Sequence, residues 1–594
     1  MSQVIEEKPT DAVVLGLGAM GGDIATKLTL AGVKTVGIEK GPYWDFQKDF
    51  APVKYDEWGI AWMRKFDHSL TVSTFSIRNN STQMALPVRR NTLGQIHTLG
   101  NGVGGATQHY GGQMGRFGPW VYQMKSSTVS RYGQAFLDAA VPHEDIFDFP
   151  VTYEDLLPYY KDWEMAWGVN GTDQQPFYPD SVYPYPPNPT TPVGKAYSDA
   201  TEALGYTPKP MPCSLASKPF TNQYGVQVNA CVYDGWCGEG CNFVCETGAK
   251  ANPAFRTVPA AIKTGNLDMR LNSYVFRLDT DSSGRVTAAR YYDSEGNVHV
   301  QPASVFVSTI WGFNTVRLML ISKIGNAYNP TTVSGSLGRG IAQPTGAPGR
   351  NVTGTLNIGA NAYPSGNSQG GGIHILDLAD DNFDHTGKNY IGGSRVIVGQ
   401  YAGGGPGCLG IATNASPANV GSAFKAKQKD VFIPPKTMLT LSGAGNCPPV
   451  TDYYVDLDPH YDDIYGDPLA RQTLDNLANG TNCANDQAPL YEAILNKMGA
   501  SNVTVAQPAA PLSVHVNNWS HHTRGGARIG TDPTLSVFNK WGQCWTSQNL
   551  FAVGEITEPV GSCTETGGTH PAGALALLTA DGIQKYLASP GLLA

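Results

Sequence analysis

The stretch that most constrains the fold of this 594-residue chain is residues 12–40. A short apolar run, Val13–Leu15, predicts a buried parallel strand, and Thr35–Ile38 predicts a second one. Between them, the segment Asp23–Ala31 has the apolar spacing of a helix. A strand–helix–strand unit of this length is typical of the first part of a dinucleotide-binding domain. The sequence therefore predicts an α/β fold that begins with this unit.

Three glycines join the first strand to the helix, in the pattern Gly16-x-Gly18-x-x-Gly21. We expect Gly16 to make the tight turn, Gly18 to let the backbone approach a pyrophosphate, and Gly21 to let helix and strand pack closely. The free N–H groups at the start of the helix would face the phosphates. Glu39 ends the second strand, where its carboxylate can accept hydrogen bonds from ribose hydroxyls. These residues predict a bound dinucleotide.

A second glycine-rich patch, residues 99–105, indicates which dinucleotide is bound. A nicotinamide-binding domain has no need of such a patch, whereas a flavin requires backbone glycines close to its ring system and second phosphate. We therefore predict FAD, with an irregular surface loop as the alternative interpretation. The candidate cofactor contacts in and after the patch are Asn101, Gly102, Gly104, Gly105 and His109.

Charge and hydropathy argue against several classes of function. The net charge is -8 and no basic run stands out, which argues against a nucleic-acid partner. No apolar run reaches the roughly 18 residues that a membrane-spanning helix needs, so we expect membrane attachment only through a partner. The N-terminus lacks a basic region followed by an apolar core, and we therefore expect no secretory signal peptide in this chain.

Four of the ten cysteines fall within fifteen residues: Cys231, Cys237, Cys241 and Cys245. The glycines between them allow turns that can aim successive thiolates at one centre. Zinc is one interpretation, although its usual signature is two short Cys-x-x-Cys pairs. Two disulfides are another, although four neighbouring cysteines would form them under strain. An iron–sulfur cluster fits the chemistry better, because a one-electron relay would connect a two-electron flavin to a one-electron haem.

Later segments carry weaker signals for individual elements. Residues 151–164 predict a helix capped by Thr152. Alternating apolar and polar residues over 267–303 predict an antiparallel meander of three strands, followed by another buried strand at Val305–Ile310. Residues 338–507 are rich in Gly, Asn and Pro without a clear period, and we interpret them as a mainly β substrate domain with long loops.

Several of these motifs together resemble the glucose–methanol–choline family of FAD oxidoreductases. The resemblance rests on the two glycine patches and on His522 and His570 near the C-terminus. The branch that holds the flavoprotein subunits of bacterial gluconate 2-dehydrogenases is more similar still. Its motifs correspond to the cysteine cluster and to the segments Arg78–Asn80, Ala85–Pro87, Gly100–Gln113 and Asp381–Gly387. The resemblance covers nearly the whole chain, most weakly from about residue 400 to 510.

The family implies an α/β architecture in which a Rossmann-like FAD-binding domain accompanies a discontinuous, mainly β-sheet (α+β) substrate-binding domain. We expect five segments: the first part of the FAD-binding domain at 1–125, a substrate or cap segment at 126–210, the iron–sulfur loop and continued FAD-binding domain at 211–340, the substrate-binding domain at 341–510, and the C-terminal part of the FAD-binding domain with the catalytic histidines at 511–594.

The resemblance also implies a catalytic pair, His522 and His570. Oxidation of an alcohol requires a base for the hydroxyl proton, and imidazole titrates nearest neutrality. In the family the first histidine precedes the apolar residue of an H-x-x-G-x-x-x-[MI] segment by seven residues; His522 and Ile529 fit, whereas His521 does not. The second histidine lies at the mouth of the last helix, where His570 stands, although this branch often has Asn-Pro there.

Two further expectations concern the flavin and the charge of the substrate. Some relatives attach the flavin covalently to a histidine at the position of His109, so we expect either a covalent bond or a contact there. Gluconate is an anion, so a cationic side chain is expected in the site, with Arg116 and Arg524 as candidates.

The resemblance finally implies a function. We expect an FAD-dependent dehydrogenase that oxidises a secondary alcohol of a sugar acid or sugar, first of all D-gluconate to 2-keto-D-gluconate. Electrons would pass through a 3Fe-4S cluster, or a 4Fe-4S cluster if all four cysteines are ligands, to a multihaem cytochrome c subunit. A small subunit with a twin-arginine signal would export the complex to the periplasmic side of the bacterial inner membrane.

The alternatives are another sugar or polyol dehydrogenase of the same branch (acting on glucose, fructose, sorbitol or a glycoside 3-hydroxyl), an oxidase that uses oxygen, or a non-catalytic flavoprotein. This chain has no Cys-x-x-Cys-His motif, so any haem would belong to a partner.

Overall fold

The structure is a computed structural model that describes a defined part of the chain. The described residues are 3–49, 75–87, 100–142, 145–172, 182–233, 245, 247–342, 352–357, 369–398, 421–422, 436–441, 448–474, 478–505, 524–558 and 568–594. No helix within these residues is both long enough and apolar enough to cross a lipid bilayer.

The described strands, in chain order, are β1 Val4–Glu6, β2 Thr10–Leu15, β3 Thr35–Ile38, β4 Phe75–Arg78, β5 Leu86–Pro87, β6 Lys209–Pro210, β7 Phe220–Thr221, β8 Gln227–Val228, β9 Leu267–Arg270, β10 Tyr274–Thr280, β11 Val286–Tyr292, β12 Val298–Ser308, β13 Arg339–Ala342, β14 Val352–Asn357, β15 Ile373–Ile375, β16 Val396–Val398, β17 Lys436–Leu441, β18 Val450–Asp462, β19 Pro468–Thr473, β20 Ser501–Val505, β21 Arg524–Gly525 and β22 Leu550–Ala552.

The described α-helices are α1 Ala19–Leu30, α2 Phe46–Asp49, α3 Pro119–Tyr122, α4 Met124–Tyr132, α5 Gln134–Ala140, α6 Tyr153–Trp167, α7 Pro192–Ala203, α8 Pro253–Arg256, α9 Val258–Lys263, α10 Gly312–Ile321, α11 Ala478–Lys497 and α12 Thr569–Ala588. Short 3-10 turns cover Gly105–Gln108, Gln369–Gly371 and Glu555–Thr557.

The main sheet contains the N-terminal unit. Its strand order is β10–β11–β12–β2–β3–β9, and β1 and β22 also pair with β12. The strands β2, β3 and β9 run parallel to one another. Strand β12 runs parallel both to β2 and to β22. Helix α12 packs on α1 and α6, and α1 packs on α9. The predicted strand–helix–strand unit is therefore confirmed, with β2 and β3 fully apolar at their centres because both faces of the sheet are covered.

The meander differs from its prediction at both ends. The antiparallel strands are β10, β11 and β12. Residues 267–270 instead form β9, which pairs in parallel with β3, so the first predicted strand belongs to the main sheet. The separate strand expected at Val305–Ile310 is the end of β12, an eleven-residue strand that pairs with β11 in its first half and with β2 in its second. Its first half has alternating apolar and polar residues and its second half is a continuous apolar run, so the sequence pattern predicted two strands where the structure has one.

A second sheet is assembled from distant segments of the chain. Its order is β21–β13–β18–β19–β4–β5, and it draws strands from four distant parts of the chain, 75–87, 339–342, 450–473 and 524–525. A third sheet, β17–β14–β20, packs against α11 around Val352, Leu439 and Ile494. The mainly β character and the discontinuity of this part are confirmed. The twenty-residue helix α11 was not predicted, because Gly480 and Pro489 mask its period.

Helix α6 shows how local sequence fixes one supporting element. The hydroxyl of Thr152 accepts a hydrogen bond from the Asp155 N–H at 3.2 Å, and the Asp155 carboxylate accepts one from the Thr152 N–H at 2.9 Å. This reciprocal capping box confirms the predicted helix start.

Candidate active site

A cleft opens where the carboxyl ends of β2 and β3 meet the second glycine patch. In open α/β sheets this edge is the usual place for a cofactor. Residues from both ends of the chain line the cleft: Gly16, Gly18, Ala19, Ile38, Glu39, Gly100, Gly105, Thr107, Thr309, Trp311, Gly554, Glu555, Gly568 and Thr569.

The backbone geometry of the first glycine patch requires glycine at two of its three positions. Gly16 has a positive φ of +86°, which the tight turn requires. A Cβ on Gly21 would lie 1.9 Å from the carbonyl oxygen of Gly16, so only glycine allows helix α1 to approach the strand this closely. A Cβ on Gly105 would lie 3.0 Å from the Cα of Gly18, which shows that the two glycine patches touch backbone to backbone.

The start of helix α1 suits an anionic ligand. Gly18 is its N-cap, no side chain caps it, and its first turn holds no acidic residue. The first N–H groups of a helix have no intrahelical acceptor and carry the positive end of the helix dipole. The helix therefore presents uncapped donors to the cleft, as a pyrophosphate requires.

Glu39 has more partners than the sequence predicted. Its Oε2 accepts the N–H of Leu17 at 2.9 Å, and its Oε1 accepts those of Gly41 at 3.0 Å and Gly102 at 3.2 Å. Burial raises the pKa of Glu39, and these three hydrogen bonds oppose that shift. The carboxylate thus ties the two glycine patches together and leaves one lone-pair position on Oε2 unused by these three bonds, so its contact with a ribose hydroxyl stays a prediction.

The second glycine patch is held in place by backbone contacts. The Gly104 N–H donates to the Leu17 carbonyl at 2.7 Å. Gly104 has a φ of +102°, and a Cβ there would lie 2.2 Å from the side-chain oxygen of Asn252. Asn101 is fully buried, and its carbonyl accepts the indole N–H of Trp44 at 2.7 Å. These contacts leave the patch one conformation, in which it faces the first glycine loop.

His109 lies at the end of the 3-10 turn Gly105–Gln108, where its N–H donates to the Ala106 carbonyl at 3.1 Å. Its side chain is half-buried. Its covalent attachment to a flavin stays a prediction.

The two predicted catalytic histidines have different outcomes. His522, like His521, lies outside the described residues, so its role stays a prediction. His570 lies in the first turn of α12 and is fully buried. Its Nδ1 accepts the Gly115 N–H at 3.1 Å, and its Nε2 lies 3.0 Å from Oε1 of Glu164. Burial lowers the pKa of His570, and Glu164 only partly offsets that shift.

Arg116, a candidate for binding an anionic substrate, is part of the same buried network. It donates from Nε and Nη2 to the two carboxylate oxygens of Glu164, at 2.7 and 2.8 Å, and both side chains are at most 1% exposed. Burial alone would raise the pKa of Glu164, but His570 and Arg116 lower it. Glu164 therefore pairs with Arg116 inside the protein, and a contact between Arg116 and an anionic substrate stays a prediction.

Arg524, the other candidate, is buried as well. Its guanidinium forms an ion pair with Glu558. No sequence pattern pointed to Glu164, Glu555 or Glu558, because isolated acidic residues in these segments are indistinguishable from surface charges before the fold is known.

Two of the four clustered cysteines are described, Cys231 and Cys245, and Cys237 and Cys241 lie outside the described residues. Both described thiols pack beside Ala249, and neither forms a disulfide with a described cysteine. Within the described part of the chain, no group of three or more His, Cys, Asp and Glu side chains is arranged to hold a metal ion. The metal site therefore stays a prediction.

The surroundings of Cys245 favour negative charge on sulfur. Its Sγ lies 3.4 Å from the hydroxyl of Thr247 and accepts the N–H of Lys250 at 3.4 Å. Although burial alone would raise the pKa of Cys245, these contacts and the charge of Lys250 lower it below its ordinary value. The buried Arg256 donates to the carbonyls of Gly248 and Ala249, and burial lowers its pKa to about 10.

Lys250 connects this cysteine segment to the cleft. Its ammonium group, 2% exposed, donates to the carbonyls of Gln108 at 3.3 Å and Tyr110 at 2.8 Å, the residues on either side of His109. Lys250 thus bridges the thiol of Cys245 and the loop predicted to contact the flavin. The sequence could not predict this link, because it depends on which loop the lysine reaches.

Comparison with known proteins decides the family. Over 99% of its length, this chain is 32% identical to the gluconate 2-dehydrogenase flavoprotein of Pantoea cypripedii, of which it covers 96%. The chain belongs to the glucose–methanol–choline family of FAD oxidoreductases. Membership confirms the predicted enzyme class, an oxidoreductase acting on CH–OH groups, and supports FAD as the cofactor of the cleft.

Other members of the family are similar along nearly their whole length. The 2-methyl-1,2-propanediol dehydrogenase of Mycolicibacterium austroafricanum is 27% identical, over 97% of this chain and 95% of its own. The fructose dehydrogenase large subunit of Gluconobacter japonicus is 24% identical, over 98% of this chain and 99% of its own. A scan against models of known protein families finds no match.

Solved structures share the fold. A formate oxidase from Aspergillus oryzae superposes with a TM-score of 0.54 at 12% identity, over 98% of this chain and 99% of its own. A pyridoxine 4-oxidase superposes with a TM-score of 0.52 at 14% identity, over 97% of this chain and 99% of its own. These similarities confirm the predicted fold class.

Proposed function

We propose that this chain is the flavoprotein of a dehydrogenase that oxidises a secondary alcohol of a sugar acid or sugar, with D-gluconate to 2-keto-D-gluconate as the first candidate. The observation that carries the proposal is the end-to-end similarity to a gluconate 2-dehydrogenase flavoprotein, combined with a cleft that has the donors and the backbone space for FAD. A fructose dehydrogenase subunit among the relatives makes another sugar the second candidate.

The cleft residues fit FAD, and FAD would supply the acceptor for two electrons and the carbinol hydrogen. The start of α1 would bind the pyrophosphate with its uncapped N–H groups, while Gly18 and Gly105 would let it lie against the backbone. Glu39 would accept a ribose hydroxyl at its remaining lone pair. Trp311 and Gly568 line the cleft on the sides contributed by α10 and α12.

We propose His522 as the base that takes the hydroxyl proton, since its spacing to Ile529 fits the family pattern. The contacts of His570 favour a positioning role. Since Gly115 donates to its Nδ1, the neutral ring carries its proton on Nε2, which faces Glu164. Because Gly115 bonds to Nδ1 and Glu164 lies 3.0 Å from Nε2, the ring joins the loop after the second glycine patch to the start of α12.

We further propose that Cys231, Cys237, Cys241 and Cys245 supply the thiolates of an iron–sulfur cluster that carries electrons away from the flavin. Three features support this. Sulfur at Cys245 receives N–H and O–H donors, as cluster-bound thiolates do. The buried Arg256 has no carboxylate within 4.0 Å among the described residues, which suits a neighbouring anion. Lys250 joins the segment to the loop around His109.

Iron analysis tests the cluster. The purified chain should contain iron and acid-labile sulfide, and Cys245→Ser should lose both while it keeps its FAD. Cys213→Ser is the matched control, because Cys213 is a buried thiol outside the cluster of four. Full iron and sulfide content in Cys245→Ser would remove Cys245 from the ligand set, and an active wild-type protein free of iron would refute the relay.

A one-electron relay would deliver electrons to a multihaem cytochrome c subunit. The proposed complex also contains a small subunit with a twin-arginine signal and works on the periplasmic side of the inner membrane. The absence of a Cys-x-x-Cys-His motif from this chain supports placing the haem on a partner.

A substrate panel tests the proposed reaction. Sugar acids, sugars and polyols are offered with an artificial electron acceptor and, separately, with oxygen alone. We expect the highest kcat/KM for D-gluconate with the artificial acceptor and little peroxide. Fast peroxide formation without an added acceptor would replace the dehydrogenase by an oxidase, and preference for an uncharged sugar would move the substrate to the second candidate.

A further inference from the structure

Three ionisable groups lie together at one edge of the FAD cleft: Arg524 and Glu558 are buried and Glu555 is half-buried. Arg524 is on β21, Glu555 begins the 3-10 turn after β22, and Glu558 directly follows that turn. Arg524 and Glu558 are at most 1% exposed and form an ion pair. Glu555 lines the cleft itself, as does Trp311.

The cluster also has unused hydrogen-bonding capacity. Oε2 of Glu555, Oε1 of Glu558 and Nε of Arg524 are buried and have no hydrogen-bond partner among the described residues. Gly568, which lines the cleft, leaves room for the guanidinium, since a Cβ there would lie 2.5 Å from Nη2 of Arg524. Glu555 therefore borders the cleft directly, and Arg524 with its partner Glu558 lies behind Gly568.

Counted over the described residues alone, the cluster is one positive charge short. One arginine faces two carboxyl groups, and a buried charge without a partner is strongly disfavoured. Burial raises the pKa of Glu555 to about 7 and that of Glu558 to about 8, and Arg524 only partly offsets either shift. The two carboxyl groups titrate as a coupled pair, which holds a proton near neutral pH.

Charged groups on the neighbouring elements are neutralised elsewhere. The pairs are Arg317 with Asp463, Arg339 with Asp145, and Arg116 and His570 with Glu164. Among the described residues, the charge of the cluster therefore depends on Arg524, Glu555 and Glu558 themselves.

We propose that Glu555 and Glu558 form a proton-holding pair that takes up a proton when the cofactor is reduced and releases it when the cofactor is reoxidised. The inference rests on the FAD cleft and is independent of which alcohol is oxidised or whether a metal cluster is present. In this proposal, the two glutamates adjust the net charge beside the cofactor.

The balance of charge gives the direction of proton movement. Oxidation of one alcohol removes two electrons and two protons: two electrons and one proton enter the cofactor, and one proton is set free. The cleft thereby gains one negative charge. A carboxylate of the pair takes up a proton from the site or from solvent, becomes a carboxylic acid and offsets that charge. When the electron acceptor removes the two electrons, the pair and the cofactor each return one proton to solvent.

The experiment measures the midpoint potential of bound FAD against pH in the full-length protein. If the glutamate pair takes up a proton on reduction, two protons accompany two electrons over the pH interval in which the pair becomes protonated. The midpoint potential then falls twice as steeply with pH in that interval as it does where one proton accompanies two electrons. Glu555→Gln keeps the size and polarity of the side chain and removes the titrating group. We expect the steep interval to disappear or shrink in this variant.

Asp23→Asn is the matched control. Asp23 is also a buried carboxyl whose pKa burial raises to about 7, but its partners are Trp163, Trp167 and Thr257, away from the cleft. Its steep interval should match that of the wild type. Superposable potential–pH curves for the wild type and Glu555→Gln would overturn the proposal.

A second readout keeps the proposal falsifiable if Glu555→Gln does not bind FAD. In the wild type, the reduced-minus-oxidised infrared difference spectrum should contain the C=O band of a newly protonated carboxyl group, and this band should shift in deuterium oxide. A wild-type difference spectrum without that band would refute proton uptake by the pair.

Discussion

Replacing Glu39 by glutamine tests whether this side chain holds the two glycine patches together or only contacts the cofactor. In its better orientation, the glutamine oxygen keeps the Gly41 and Gly102 hydrogen bonds, and its NH₂ group faces the Leu17 N–H. The lost bond to a charged acceptor costs about 1.5–3 kcal/mol, and the unsatisfied buried donor costs about 1–3 kcal/mol. Removing the buried charge recovers part of this free energy, because burial disfavours the charged carboxylate and so raises the pKa of Glu39. We expect a net loss of about 2–4 kcal/mol.

The assay uses the FAD-free protein, because the argument concerns contacts within the chain. Urea unfolding followed by circular dichroism should show a lower midpoint for Glu39→Gln, and fluorescence titration should show weaker FAD binding. Glu202→Gln is the control, since Glu202 is exposed on the surface helix α7 and should change stability by less than about 0.5 kcal/mol. An unchanged midpoint with weaker FAD binding would restrict Glu39 to a ribose contact and refute the structural role.

Two other substitutions test the site. His522→Ala should lower kcat by roughly 10²–10⁴-fold with the flavin spectrum intact, whereas His521→Ala should be far milder; near-normal turnover of His522→Ala with bound flavin would remove it as the base. Gly104→Ala places a Cβ 2.2 Å from the side chain of Asn252 at a φ of +102°, so it should reduce the FAD content measured by absorbance. The control Gly205→Ala has a φ of +87° and nothing within 4 Å of its Cβ, so it bears only the backbone strain. Equal FAD content in both variants would contradict the close packing at Gly104.

The N-terminal unit could be predicted because its signals are local. Apolar runs define β2 and β3, and the spacing of Gly16, Gly18 and Gly21 is set by one turn whose geometry the structure reproduces. The start of α6 at Thr152 could be predicted for the same reason, since both halves of its capping box lie within four residues.

Features that depend on packing could not be predicted. Helix α11 contains Gly480 and Pro489, which intrinsic propensity disfavours, and it forms because Tyr491, Ile494 and Leu495 are buried against the third sheet. In the same way, the partners of Glu39, His570 and Arg524 come from segments up to hundreds of residues away. The sequence identified these residues but assigned them contacts with a ligand, whereas the structure gives each of them partners in the protein.

The central claim, that this FAD cleft oxidises a secondary alcohol of a sugar acid or sugar, is tested most directly by anaerobic mixing of the FAD-loaded protein with D-gluconate. The visible spectrum of the flavin is followed and the product is analysed. The account predicts loss of the oxidised-flavin absorbance and formation of one equivalent of 2-keto-D-gluconate per flavin. An oxidised spectrum that stays unchanged with D-gluconate and with every other sugar acid, sugar and polyol tested would contradict it.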